Sequence, residues 1–532
     1  MTDLKLVLAL LAVVAFLATV GRRYSIPDPI SFALGGIALA LIPAMPQVAL
    51  SPEMVLVVFL PPLIYAAAQD TSWAEVKQNA EPILLLAVGL VLFTMGAVAA
   101  AVHALVPEMS WAAAFTLGAI VSPPDAVAAK AVADTMRLPR RLVAVLEGEG
   151  LVNDATALVA FKIASGAVVA GSSFRPGQGI AQFTYTALIG IAVGLVVGWI
   201  GRFILSRVDE PAAENTIILL LPFAAYLPAE ELHASGVLAV LTLALYHSQF
   251  GFLSTSHTSR LQSRSLWEMI DFILTGLSFV LMGLQLRAVV QDLSHHRQMH
   301  LLVTGVVCFL VVAVRPLWIL LVSLANRAVY RLKGKSGNPP PKRSLVIVAW
   351  SGMRGVVSLA VALSLPLTTA TGQPFPGRSL IIFVTFGVIL VTLVGQGLTL
   401  PFLIRRLRVG VSESKSQLTE VSAQLHLARL SYDHIDDLQK ELNPPAEIVD
   451  RVRSFWEGRL EKLNRQREIL DGDGELQEDG ARLHTLLSEF AGRLINIEET
   501  ELQRMRDAGE VESPMARGIQ QRLDLMRMRG GK

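Results

Sequence analysis

A single cysteine, Cys308, stands in the 532-residue chain. One thiol can neither close a disulfide within the chain nor build a thiolate metal cluster. Charge is also scarce. Asp, Glu, Lys and Arg make up 17% of the residues, where soluble domains run near ~25%. What charge there is nearly cancels, at a net +2, which gives no electrostatic reason to expect nucleic acid as a partner. No glycine-rich phosphate loop, dinucleotide fingerprint or nucleophile–base set stands out. An enzyme is therefore not expected, and no cofactor is called for.

The shortage of charge is uneven. Residues 1–409 hold 28 Lys and Arg and 20 Asp and Glu, whereas residues 410–532 hold 18 and 24. Hydrophobic residues reach 52% overall, with mean hydropathy +0.51. Two solvents are implied: a lipid bilayer for residues 1–409 and water for a helical tail over 410–532. A helix needs about 20 apolar residues to cross a bilayer. By that measure thirteen segments qualify, near 4–20, 29–45, 52–68, 82–105, 111–131, 141–170, 180–206, 214–229, 234–249, 266–289, 300–325, 344–367 and 379–404. The eighth and ninth are the weakest. The first is read as a retained span rather than a signal peptide. Gly21-Arg22-Arg23 puts positive charge on its far side, and no small-residue cleavage site follows.

Loop charges orient the chain. With the N-terminus outside, alternate loops carry 20 Lys and Arg on the inner side, among them Lys130, Arg260 and Arg264, against 5 on the outer side. Basic residues favour the cytoplasmic face, so the chain is expected N-terminus out, with the tail in the cytoplasm. One missed or invented span would scramble the asymmetry.

Some charges remain inside apolar runs: Lys162, Arg315, Arg354, Asp125, Glu147, Glu149, Asp154 and Asp271. At the bilayer centre each costs at least about 2.5–3.5 kcal/mol, so such residues face a partner or an ion path. In the fifth segment, Ser122-Pro123-Pro124-Asp125 loses two backbone donors in succession, which breaks the helix. Asp125 then heads the second half-helix, whose partial positive charge favours a carboxylate. In the sixth, Glu149 shares a face with Asn153, and Gly150 with Asp154. Gly148 and Gly150 are expected to admit another backbone. Asn153 and Asp154 supply the oxygen ligands that a hard monovalent cation takes. In the twelfth, Gly352 and Gly355 flank Arg354, and a second unwinding is expected there. Glu149 is the expected partner of Arg354. Fifth and twelfth segments hold corresponding places in two six-span halves, the pattern of an inverted-repeat transporter with its site at the midplane.

These motifs resemble, in order along the chain, the monovalent cation:proton antiporters, in the branch of bacterial sodium/proton antiporters and animal sodium/proton exchangers. The matching stretches are Phe59 to Tyr65, Ser122 to Asp125, Glu147 to Asp154, His233 to Ala239, Gly352 to Gly355 and Val394 to Thr399. The resemblance implies two crossed broken helices in a core domain that moves against a dimerisation domain, and a homodimer in the plasma membrane. It implies that Asp154 carries proton and cation in turn, that Asp125 and Asn153 lie at or near the site, and that Glu149 and Arg354 pair. Na⁺ is the expected substrate, with Li⁺ and K⁺ as further candidates. Asn153-Asp154, rather than paired aspartates, goes in the family with electroneutral one-for-one exchange. The chain departs from relatives at Gly150, Pro124 and Ala66, which leaves fewer side-chain ligands and the rest to backbone carbonyls or water. A sodium-coupled solute symporter is the alternative.

The tail alternates apolar and charged positions at helical spacing, as at Leu418, Val421, Leu425, Ala428 and Leu430. Pro444-Pro445 and Asp471-Gly472-Asp473-Gly474 divide it into about three helices.

Overall fold

The structure is a computed structural model that describes residues 2–471 apart from 25, 44–53, 70, 72, 137, 172–175, 251–256, 292–296, 333–340 and 410–412, together with 494, 496–502, 504–505 and 519. It separates into two compact units, Met1–Gly410 and Val411–Lys532.

Helices make up nearly all the regular structure among the described residues. In lipid a segment must satisfy its own backbone donors and acceptors, and a helix does so without a neighbour. The first unit runs α1 (Thr2–Arg23), α2 (Asp28–Ala40), a π turn over Met54–Phe59 into α3 (Leu60–Gln69), and α4 (Trp73–Gln78). Then α5 (Ala80–Leu84) passes through a π turn into α6 (Val91–Leu105), followed by α7 (Trp111–Val121), α8 (Ala126–Thr135), α9 (Arg140–Val169) and α10 (Pro176–Leu205). The rest is α11 (Pro211–Glu231), α12 (Gly236–Phe250), α13 (His257–Leu284), α14 (Leu286–Gln291), α15 (Arg297–Leu332), α16 (Lys342–Trp350), α17 (Val356–Leu363), α18 (Arg378–Leu390), a π turn and α19 (Gly397–Leu407).

Each of the thirteen apolar segments coincides with a helix or an interrupted helix. Eight are long and apolar enough to cross a membrane by themselves. The second, third and ninth are shorter apolar helices. The fifth and twelfth are the broken pairs α7–α8 and α16–α17. Small residues set the closest packing. A methyl group on Gly36 would strike the Val280 carbonyl, and one on Gly283 the Ala33 carbonyl, so α2 and α13 touch backbone to backbone.

The second unit contains α20 (Glu413–Asp433), α21 (Ile435–Leu442) and α22 (Ala446–Asp471). Val421, Leu425 and Ala428 pack against Leu463, with Trp456 and Leu460 beside them. Leu430 lies outside this core, at 50% exposure. The chain turns at Asn443, whose backbone is left-handed (φ 43°), just before Pro444-Pro445. A further interruption at His434 divides the stretch before Asp471 into three helices rather than two. The segment from Gly472 to Arg493 lies outside the described residues.

Candidate functional site

The two interruptions meet each other. Pro123 and Pro124 have no N–H, so the first donor after the break is that of Asp125, and it reaches across to the Met353 carbonyl at 2.6 Å. The Asp125 carboxylate turns back onto its own helix. Oδ1 accepts from the Val127 N–H at 2.8 Å, capping the start of α8. Oδ2 lies against Gly355, where a methyl group would collide with it. Gly355 is the N-cap of α17. One carboxylate therefore sits at two helix N-termini, where the peptide dipoles favour negative charge.

Arg354 does the converse. A helix that stops at Val121 leaves its last carbonyls without intrahelical donors. Arg354 supplies them, from Nε to Val121 O at 3.1 Å and from Nη2 to Ser122 O at 3.2 Å, while Nη1 reaches Gly352 O. Its own N–H goes to Thr392 Oγ1 at 3.1 Å. The guanidinium is 2% exposed. It therefore serves as the cap of the broken helix. The expected Glu149–Arg354 pair is therefore not a direct hydrogen-bonded one: the Arg354 donors go to carbonyls, and Glu149 acts on it only through its charge.

Glu149 is held by Arg315 of α15. Nη1 bonds Oε1, Nη2 bonds Oε2 at 2.7 Å, and Nε donates to Val348 O at 2.7 Å. Both side chains are 2% exposed. The sequence marked Arg315 as a charge in an apolar run without naming a partner; a fork of five donors pairs a buried carboxylate better than any other side chain. Gly148 also departs from expectation. What a methyl there would strike is the Ile83 side chain, not a backbone.

Asn153 is fully buried and donates from Nδ2 to the Pro124 carbonyl at 2.9 Å. A carbonyl only accepts, so this bond orients the amide and leaves Oδ1 pointing elsewhere. Oδ1 has no hydrogen-bond partner. A buried acceptor left open is costly unless something fills it. Asp154, the next residue, keeps part of its surface accessible and lies close enough to Asp125 for their charges to interact. The cations that would neutralise Asp154 are engaged elsewhere: Arg315 with Glu149, Arg354 with the carbonyls, and Lys162 with Glu230 at 2.8 Å.

A cavity of about 670 Å³ adjoins α8 and α9. Its wall includes Asp28 of α2, Val127 and Lys130 of α8, Glu147 and Leu151 of α9, and Arg260 and Asp271 of α13. Glu147, Leu151, Asp154 and Leu158 fall at helical spacing on one stripe of α9. The cavity thus reaches to within one turn of Asp154. Glu147 meets Lys130 at 3.7 Å on this wall. Tyr65, in the third segment's motif, bonds His247 Nδ1 at 2.5 Å at the cavity rim. Neither His247 nor Glu230 is legible from the sequence as a site residue, because their partners lie far away in the chain.

Comparison with known proteins places the chain in company. The family described as sodium/hydrogen exchanger, transmembrane, matches residues 8–406. An uncharacterised Na(+)/H(+) exchanger of Mycobacterium tuberculosis is 33% identical over 530 residues, covering 98% of this chain and 95% of that one. A sodium, potassium, lithium and rubidium/H(+) antiporter of Bacillus pumilus is 31% identical, covering 98% of this chain and 77% of its own length. Among solved structures, the sodium proton antiporter MjNhaP1 from Methanocaldococcus jannaschii aligns with a TM-score of 0.60 at 20% identity, over 76% of this chain and 99% of that one. The structural likeness speaks for the fold.

Proposed function

The chain belongs to the sodium/hydrogen exchanger family, and from that premise we propose that it exchanges Na⁺ for H⁺ across a plasma membrane, with Asp154 binding the two in turn. The observation that carries this reading is the environment of Asp154. It is a partly accessible carboxylate one turn from a cavity, next in the chain to Asn153 with its open Oδ1, and no basic side chain among the described residues bonds it. A carboxylate largely withdrawn from water and bonded to no cation is costly when charged and empty. Either a proton or a cation relieves that cost, and one site cannot hold both. The core carries the neutralised site across, the empty one stays, and the two gradients become linked.

Asp154, Asn153 Oδ1 and Asp125 together offer the oxygen ligands that a hard cation requires. Asp125 lies at two helix N-termini, which favour its charge, and Asp154 alone is assigned the exchange of proton for cation. One cation then exchanges for one proton, and the cycle moves no net charge. Li⁺ and K⁺ are further substrates to test, since the relative from Bacillus pumilus is described as taking sodium, potassium, lithium and rubidium. The named relatives are exchangers or antiporters, and no observation favours solute symport. Basic residues Lys130, Arg260 and Arg264 in the cavity wall are among those the charge asymmetry assigns to the inner side, and on that reading the cavity opens to the cytoplasm, with the N-terminus outside. A homodimer follows from the family resemblance.

The test is dissipation of a pH gradient in proteoliposomes on adding Na⁺, Li⁺ or K⁺. Wild type is expected to respond to Na⁺ equally with and without a potassium diffusion potential. Asp154→Asn is expected to show no cation-dependent proton movement; exchange retained by that variant would remove Asp154 from the central role.

A further inference from the structure

The stripe of α9 that carries Asp154 has an inner end and an outer end, and they differ. At the inner end Glu147 and Leu151 line the cavity. At the outer end, eight residues and about 12 Å beyond Asp154, Lys162 is clamped. Its Nζ lies 2.8 and 3.0 Å from the two carboxylate oxygens of Glu230 and 3.4 Å from Ala234 O. Glu230 Oε1 also accepts the Gly236 N–H at 3.1 Å, at the start of α12. One lysine thus ties α9 to the end of α11 and the beginning of α12, on the side of Asp154 away from the cavity. We propose that the Lys162–Glu230 pair is the outer gate of the exchange path, closed in the state seen here and opened each time Asp154 turns to the outside.

The chemistry suits a contact that breaks in every cycle. The two side chains are 41% and 33% exposed, and ion pairs so open to solvent are weak. The Glu149–Arg315 pair, five residues before Asp154, is enclosed and forked and would not open cheaply. When the outer gate parts, Glu230 is left as a free carboxylate at the mouth of the path, where it attracts cations, and Lys162 moves away with α9. This inference rests on the assignment of Asp154 as the carrier.

The experiment joins the two positions reversibly. Lys162→Cys and Glu230→Cys are combined with Cys308→Ser, which removes the single native thiol, and the protein in proteoliposomes is treated with a short, reducible bifunctional methanethiosulfonate. Cross-linking is expected to stop Na⁺-driven proton movement and a reductant to restore it, while Na⁺ still stabilises the cross-linked protein against heat because the inner path stays open. Exchange at an unchanged rate while the link is intact would overturn the gate. The single variant Lys162→Gln, which leaves the thiols out and Glu230 in place, gives a second reading. Weakening the gate should lower the apparent KM for external Na⁺ by about two- to fivefold and raise the internal KM in the same proportion; equal changes on both sides would mark a merely structural tie. If Asp154→Asn abolishes exchange while the linked protein still transports, the gate alone is wrong. If Asp154→Asn transports, the carrier assignment is wrong.

Discussion

Two helices are interrupted in this protein, and they reach the same geometry by different chemistry. Between α7 and α8 the break is made by Pro123-Pro124, which remove two donors outright. Between α16 and α17 no proline intervenes in the stretch Ser351 to Gly355. The first break contributes a carboxylate, which lies at the N-termini of α8 and α17. The second contributes a guanidinium, which lies at the C-terminal carbonyls of α7 and reaches Gly352 O after α16. Each interruption is completed by the charged residue of the other. Residues that bend easily are not enough to break a helix in a low-dielectric interior; the break persists because partners for its orphaned groups are supplied from outside it.

The sharpest way to break the comparison is Arg354→Ala. Val121 O and Ser122 O would lose their buried donors, at a cost of about 3–5 kcal/mol. Little folded protein is expected by size-exclusion chromatography in detergent, and Arg354→Lys is not expected to rescue it, because one ammonium cannot reproduce the fork. Recovery of normal, stable protein from Arg354→Ala would show that the carbonyls are satisfied otherwise. Next in size, Glu149→Gln leaves Arg315 buried against a neutral partner and should cost about 3 kcal/mol, read as a lowered unfolding temperature. Adding Arg315→Met should return much of that loss, whereas adding Arg354→Met should not. The opposite pattern would reinstate Arg354 as the partner of Glu149. The smallest effect is expected from Gly355→Ala. Its methyl group would push the Asp125 carboxylate off the α17 N-terminus at about 1–3 kcal/mol, and exchange should fall further than folding yield does. An unaltered exchange rate in this variant would mean that Asp125 need not sit where it is.

Much of this architecture was legible beforehand. The thirteen apolar segments all coincide with helical elements, since a stretch that must satisfy its own backbone in lipid has few alternatives to a helix. The break at Ser122 to Asp125 followed from proline chemistry alone. The pairing of Glu149 was not legible. Helical periodicity tells which face of α9 a carboxylate occupies, but the residue that arrives there lies 166 positions away on α15, and two arginines competed for it. The tail shows the same limit on a smaller scale. Val421, Leu425 and Ala428 are buried as their spacing suggests, whereas Leu430 is not, because only the packing partner α22 decides how wide the apolar stripe has to be.

By itself the sequence determined that this chain is a bundle of apolar helices, that at least one of them must break, and that acids stand where bare charge is expensive. These are local matters, settled by hydropathy, by missing N–H groups and by the cost of charge in hydrocarbon. Only the tertiary structure decided which cation answers which acid. It gave Arg315 to Glu149, Arg354 to the opened helix and Lys162 to Glu230, and left no basic partner on Asp154 among the described residues. Pairing of charges depends on distances between segments remote in the chain, and those distances exist only once the helices have crossed.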